Sequence, residues 1–362
     1  MDAAIVDGAL VRGDVEVADG AVTRIGLPAA GTGRLAAPGY VDLQVNGYDG
    51  IDLLGADRDG VLDVARALRA AGVAAWQPTL ISSPEEVTVR ACQAIAEARA
   101  HPDGRDIVGI HLEGPFLAPE RLGTHPSEHR RDPDVALLGR LLDAGPVTAV
   151  TLAPELPGAT ELIDVLLGRG VVVSIGHTDA DATYAHAAFD AGASTVTHLF
   201  NAMRRFTARD AGVAAVALAR PDVVVQVIVD GHHLADDTVR LVWQAAAGRT
   251  VLVTDATAAA GVGDGDFRLG DVDVTVSGGA VRRADGTLAG SALTMADAVR
   301  NLVALDVPLV DAVAAATAVP ARVLDRDDLG RTRVGDRARL VVLDETGTVH
   351  RVINDDDVIE AT

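Results

Sequence analysis

The 362-residue chain has no lysine, and all 31 of its basic residues are arginine. Without an amine side chain there is no Schiff-base nucleophile, no phosphate-loop lysine and no carbamylated lysine to bridge two metal ions. A single cysteine, Cys92, excludes an intrachain disulfide. It sits in a helical-looking segment, Pro84 to Ala100, and reads as a small core residue. Apolar runs such as Ala211 to Ala219 fall well short of the roughly 20 residues that span a bilayer. The opening Met1-Asp2-Ala3-Ala4-Ile5-Val6-Asp7 lacks the basic n-region of a signal peptide, so a cytoplasmic protein is expected. Positive charge is scarce beside negative: 52 acidic residues give a net charge of −21, which opposes binding to nucleic acid or an anionic membrane. An anionic substrate would need a locally basic pocket.

What is present is a globular balance, 49% apolar and 23% charged. At roughly 150 residues per domain, the length suits one large domain and a small one. Short β-like pieces at Ala4 to Val6, Val15 to Val17 and Val22 to Ile25 are separated by Asp-Gly turns, and Arg337 to Ile359 reads the same way. Neither end can hold a core alone, so residues 1–37 and 326–362 are expected to pair into one small β-sandwich. Residues 38–325 then form the main unit.

Within it, eight apolar runs alternate with amphipathic stretches: Tyr40–Val45, Ala74–Leu80, Ile107–Leu112, Val147–Leu152, Val171–Ile175, Ser194–Leu199, Val223–Val229 and Val251–Thr254. Eight βα units predict an α/β fold of the closed (β/α)8, or TIM-barrel, kind, whose chemistry sits at the carboxyl ends of the strands. The Gly- and Asp-rich segment 261–288 reads as a β insertion after the eighth strand, a hairpin over the site mouth.

The strand ends carry polar residues: Gln44 and Asn46 after the first, Glu113 after the third, His177 after the fifth, His198 after the sixth, His233 after the seventh and Asp255 after the eighth. One carboxylate and two imidazoles converging from different strands make a three-ligand set with an open position, as a catalytic zinc-like ion requires. Gln44 and Asn46 share one strand face, and amides are poor ligands for such an ion, so a single-metal site is implied. His111 shares a face with Glu113 and reads as a structural residue deeper in the barrel.

The strings around these positions are Pro38-Gly39-Tyr40-Val41-Asp42-Leu43-Gln44-Val45-Asn46-Gly47, His111-Leu112-Glu113-Gly114-Pro115-Phe116, Gly176-His177-Thr178, Thr197-His198-Leu199-Phe200-Asn201-Ala202-Met203, Asp230-Gly231-His232-His233 and Thr254-Asp255-Ala256-Thr257. In this order they resemble N-acetylglucosamine-6-phosphate deacetylases of the amidohydrolase superfamily, over essentially the whole chain. The resemblance implies that Glu113, His177 and His198 hold one divalent ion per subunit, zinc first, with iron, cobalt or manganese as alternatives. It implies that Asp255 is the acid–base residue and that His125 contacts the acetamido carbonyl. His233, Asn201, Ala202 and Arg209 would bind an amino-sugar phosphate, Arg209 being donated across a homodimer interface. Here Arg209-Asp210-Ala211-Gly212 stands where Arg-Glu-Pro-Gly is commoner in the family. The resemblance leaves a galacto-configured substrate or a cyclic amide as alternatives, although cyclic-amide hydrolases commonly use a His-x-His pair and a carbamylated lysine. A non-catalytic sugar-phosphate scaffold would be expected to have lost Asp255.

Overall fold

Aspartate, abundant in this chain, is placed where it starts helices. Asp57, Asp134 and Asp181 each sit in extended backbone just ahead of a helix and accept hydrogen bonds from its first amides, at Gly60, at Ala136 and Leu137, and at Thr183 and Tyr184. Caps of this kind are worth about 1 kcal/mol each. The helices they open, Arg58–Ala70, Val135–Asp143 and Ala182–Asp190, turn apolar stripes such as Val61, Leu62, Ala65 and Leu68 inward. Those stripes cover a parallel sheet whose strands are buried along nearly their whole length.

The computed structural model describes residues 1–355 and 357–360. Its central sheet has eight parallel strands, Tyr40–Val45, Val73–Ile81, Ile110–Glu113, Val147–Leu152, Val172–Ile175, Thr195–Val196, Val224–Val227 and Thr250–Leu252, each beside its sequence neighbour. The expected α/β barrel is the observed one. Two strands depart from expectation by three residues at one end, the others by two at most. The third begins at Ile110 rather than Ile107, because Gly109 has φ +156° and packs so tightly on Thr148 that a Cβ there would lie 2.0 Å from its Oγ1. The sixth ends at Val196 rather than Leu199, because the backbone turns to φ +30° at His198.

The first and eighth strands meet without a regular ladder. Their seam is a bridge between Val45 and Ala256, with the amides of Asn46 and Gly47 donating to the Ala256 carbonyl. A buried side chain completes it: Asp42 accepts from Thr254 Oγ1 at 2.6 Å and from the Thr254 amide at 3.3 Å. Burial raises the Asp42 carboxyl to about 7.

Both ends of the chain join in a second, six-stranded mixed sheet, ordered Ala9–Arg12, Ala3–Val6, Leu35–Pro38, Arg339–Leu343, Val349–Asn354 and Asp357–Glu360. The hairpin Asp14–Ala18 with Ala21–Leu27 packs on it around Ala4, Val15, Val22, Ala36, Ala338 and Leu340. After the eighth barrel strand comes a three-stranded antiparallel sheet, Gly265–Leu269, Val272–Ser277 and Ala280–Arg282. Cys92 is buried in the helix Glu85–Ala100. Among the described residues, no helix is long and apolar enough to cross a membrane.

Candidate active site

Three strand-end residues leave the barrel in the left-handed region: His177 at φ +48°, His198 at φ +30° and Asp255 at φ +50°. Non-glycine residues seldom adopt such angles, and their coincidence at one barrel mouth marks a place where aiming side chains outweighs backbone ease. All three line one cavity of about 360 Å³. Asn46, Glu113, His125, Asn201, Ala202 and His233 line it too.

Glu113 is the hub. Its Oε1 lies 3.2 Å from His177 Nε2 and 2.9 Å from His198 Nε2, and those two nitrogens are 3.1 Å apart. This triangle fits a metal: tetrahedral bonds of 2.0–2.1 Å would hold three ligand atoms about 3.3 Å apart. His125 adds a third imidazole, its Nε2 standing 3.5 Å from Glu113 Oε2, and Glu113, His125 and His177 also form a set of ligand atoms all within 4.8 Å of one another.

The outer ring nitrogens separate the imidazoles by role. His177 Nδ1 donates to the Arg121 carbonyl at 2.9 Å, which leaves the lone pair on Nε2, facing Glu113 and His198. His125 Nδ1 instead accepts from the Ser82 amide at 3.2 Å, with Ser82 Oγ at 3.0 Å. In the neutral ring the proton therefore sits on Nε2, a buried atom with no hydrogen-bond partner among the described residues. The ring of His177 is a ligand in waiting, and that of His125 a donor in waiting.

Burial alone would raise the Glu113 carboxyl, but the three imidazoles around it hold it well below the ordinary carboxylate range. Burial and the nearby His125 ring push His177 down to about 4. Burial also works against the charged form of His198, yet the hydrogen bond and charge of Glu113 outweigh it and raise that ring's pKa. Asp255 is raised to about 7, first by burial and then by the charge of Glu113.

The first-strand amides grip the carboxylates. Gln44 Nε2 donates to Glu113 Oε1 and to Asp255 Oδ1, both at 3.0 Å, and Asn46 Nδ2 donates to Asp255 Oδ1 at 2.7 Å. His233 is fixed through Nδ1, 2.7 Å from Asp230 Oδ2, while Asp230 Oδ1 accepts from the amides of His232 and His233. His111 lies below the cavity, between Thr79 Oγ1 at 3.3 Å and Thr151 Oγ1 at 2.7 Å. Arg204 is committed to Asp210 and Asp179, at 2.7 and 3.1 Å. Arg209 is exposed on the turn bridged by Thr207 and Asp210, and it does not line this chain's cavity.

The supporting residues Ser82, Arg121 and Asp230 escape sequence reasoning. Asp230 alone gave a signal, standing inside the Asp-Gly-His-His string; the other two act through or beside backbone atoms.

A family model described as "Amidohydrolase family" matches residues 35–359. The chain belongs to the amidohydrolase family. This amidohydrolase is 37% identical to an N-acetylgalactosamine-6-phosphate deacetylase of Escherichia coli O157:H7, over 93% of this chain and 92% of that one. It is 39% identical to the N-acetylglucosamine-6-phosphate deacetylase of Homo sapiens, over 87% and 80%. Among solved structures, an aspartate-to-alanine mutant of the N-acetyl-D-glucosamine-6-phosphate deacetylase of Mycobacterium smegmatis, in complex with N-acetyl-D-glucosamine-6-phosphate, superimposes with a TM-score of 0.92 at 36% identity, covering 99% of this chain and 98% of that one. The amidohydrolase family is metal-dependent, and the chain is a hydrolase acting on an amide bond.

Proposed function

We propose that this amidohydrolase removes the acetyl group of N-acetyl-D-glucosamine 6-phosphate, giving D-glucosamine 6-phosphate and acetate, in amino-sugar catabolism or cell-wall recycling. The observation that carries this reading is the meeting of a Glu113–His177–His198 ligand triangle, a buried Asp255 and a donor-bearing His125 in one cavity. The three ligands suit one divalent ion per subunit, zinc above others, which when bound supplies Lewis acidity to water and to the amide carbonyl.

Asp255, with its pKa raised to about 7, takes the proton of the attacking water and returns it to the nitrogen as the C–N bond breaks. His125 donates its Nε2 proton in a hydrogen bond to the acetamido oxygen as negative charge gathers there. Gln44 and Asn46 orient Asp255 by donating to it, a task that leaves no second metal site on the first strand. His233, Asn201 and Ala202 receive the sugar phosphate, and Arg209 reaches a neighbouring subunit's cavity in a homodimer. Phosphorylated sugars do not cross membranes unaided, so the enzyme would work beside its substrate in the cytoplasm.

The test is turnover of N-acetylglucosamine and N-acetylgalactosamine, each with and without the 6-phosphate, alongside metal content and chelation. The expected result is one ion per subunit and a preference for the gluco 6-phosphate. Preference for the galacto epimer, after which the Escherichia coli relative is named, would change the substrate and keep the chemistry. A metal-replete protein that hydrolyses none of the four would end the deacetylase reading. Mixing Arg209→Ala with His198→Ala subunits tests the dimer, because an intact site returns only if the arginine acts between chains.

A further inference from the structure

Arg282 is the one arginine lining the active-site cavity among the described residues. It ends the strand Ala280–Arg282 of the inserted sheet and is bridged to Leu288, which also lines the cavity. Its Nη1 donates to the Gly286 carbonyl at 2.8 Å, so the side chain is anchored by one of its five N–H donors. Among the described residues, no carboxylate stands within ion-pair distance of it. Arg204 near the mouth is spent on Asp179 and Asp210, whereas the charge of Arg282 is uncommitted among the described residues.

The surroundings make that charge consequential. The ionisable acids lining the cavity are Glu113 and Asp255, and the whole chain carries −21, so a sugar phosphate approaching from solvent meets an unfavourable field. Imidazole and amide donors position an anion, but only a guanidinium brings a permanent charge and a fork matched to phosphate oxygens. Arg282 also lies close along the chain to the turn at Gly279, where a Cβ would come within 3.6 Å of His232 Nε2. The turn between the second and third inserted strands thus lies beside His232, the chain neighbour of His233.

We infer that Arg282 is a specificity residue supplied by the same chain: its guanidinium binds the 6-phosphate of the substrate, with His233 on the adjoining turn. The inference rests on the deacetylase reading and assigns the inserted sheet a part in substrate choice.

The experiment compares wild type, Arg282→Ala and Arg283→Ala, all metal-loaded, on N-acetylglucosamine with and without the 6-phosphate. Arg282 borders both the active-site cavity and an outer groove, whereas Arg283 lines the outer groove and not the cavity, so Arg283 serves as the control. For Arg282→Ala, KM for the phosphorylated sugar should rise roughly 10- to 100-fold, the worth of a charge-assisted hydrogen bond. Its kcat/KM for the unphosphorylated sugar should stay within about twofold of wild type, since no phosphate contact is lost there. Arg283→Ala should match wild type on both. An equal loss on both sugars would make Arg282 merely structural and overturn the inference, as would no change on either. If wild type hydrolyses neither sugar, the deacetylase reading fails by itself. Calorimetry with inorganic phosphate still decides the site: weaker binding to Arg282→Ala supports it, and equal binding overturns it.

Discussion

Two buried carboxylates, one at each end of the barrel, have been given opposite company. At the floor, Asp106 is 2% exposed and lies 2.6 Å from Arg69 Nε and 2.9 Å from Arg339 Nη1, tying the barrel to the terminal sheet. At the mouth, Glu113 is 3% exposed and surrounded by His125, His177 and His198, with Gln44 donating to it. Guanidinium is always charged, so the floor is neutralised permanently and can only hold. Imidazole can lose its proton and offer a lone pair, so the mouth can exchange protons for a metal. The same acid is structural or functional according to which base was placed beside it.

The sharpest way to break this contrast is to remove an imidazole. His177→Ala or His198→Ala should abolish measurable turnover and bound metal together, read by elemental analysis and rate. Retention of full metal in either variant would remove it from the ligand set. Next in size, Asp255→Asn should slow turnover by roughly 10² to 10⁴ with metal content unchanged and substrate still bound. Near-normal turnover in that variant would reassign the base, with His125 the first candidate.

The floor should respond in stability alone. Asp106→Asn leaves Arg69 and Arg339 without their buried counter-charge and should cost about 3–5 kcal/mol in denaturant unfolding, while kcat of the folded fraction persists. A loss of kcat at unchanged stability would show that the two ends are coupled.

The smallest effect concerns Asp42, a third buried acid, whose neighbours are neutral. Its folded pKa of about 7 lies above the unfolded value, so the folded state keeps a proton that the unfolded chain releases between about pH 4 and pH 7. Stability therefore falls as pH rises through that window. Asp52, raised by burial to about 6, contributes with the same sign. Thermal melts from pH 5 to pH 8 should show a shallower decline for Asp42→Asn than for wild type, and identical slopes would mean that Asp42 is already ionised in the fold.

Much of this was legible in the chain because barrel strands are continuous apolar runs and their polar successors stand out. Glu113, His177, His198 and Asp255 each follow such a run, and the resemblance supplied His125. Other features depend on contacts that no spacing encodes. The proton position on His125 is set by a backbone amide 43 residues away, at Ser82. The place of Arg282 in the cavity follows from the fold of an insertion whose β pattern shows in sequence but whose packing does not. Arg209 lies outside this chain's cavity, which its place in the string does not reveal. The short sixth strand reflects the turn that His198 imposes, where local propensity gives way to the placement of one side chain.

The seam between the first and eighth strands separates assembly from competence. Glu113, His177 and His198 come from strands in the uninterrupted part of the sheet, whereas Asp255 sits on one lip of the seam and its partners Gln44 and Asn46 on the other. Asp42 and Thr254 fasten those lips one and two residues from the groups they align. On the proposed mechanism, a barrel sprung open along this line would keep its ligand triangle and lose its base. Bound metal would then be a poor witness that the enzyme is whole, because closing this seam is what sets Asp255 against Gln44 and Asn46.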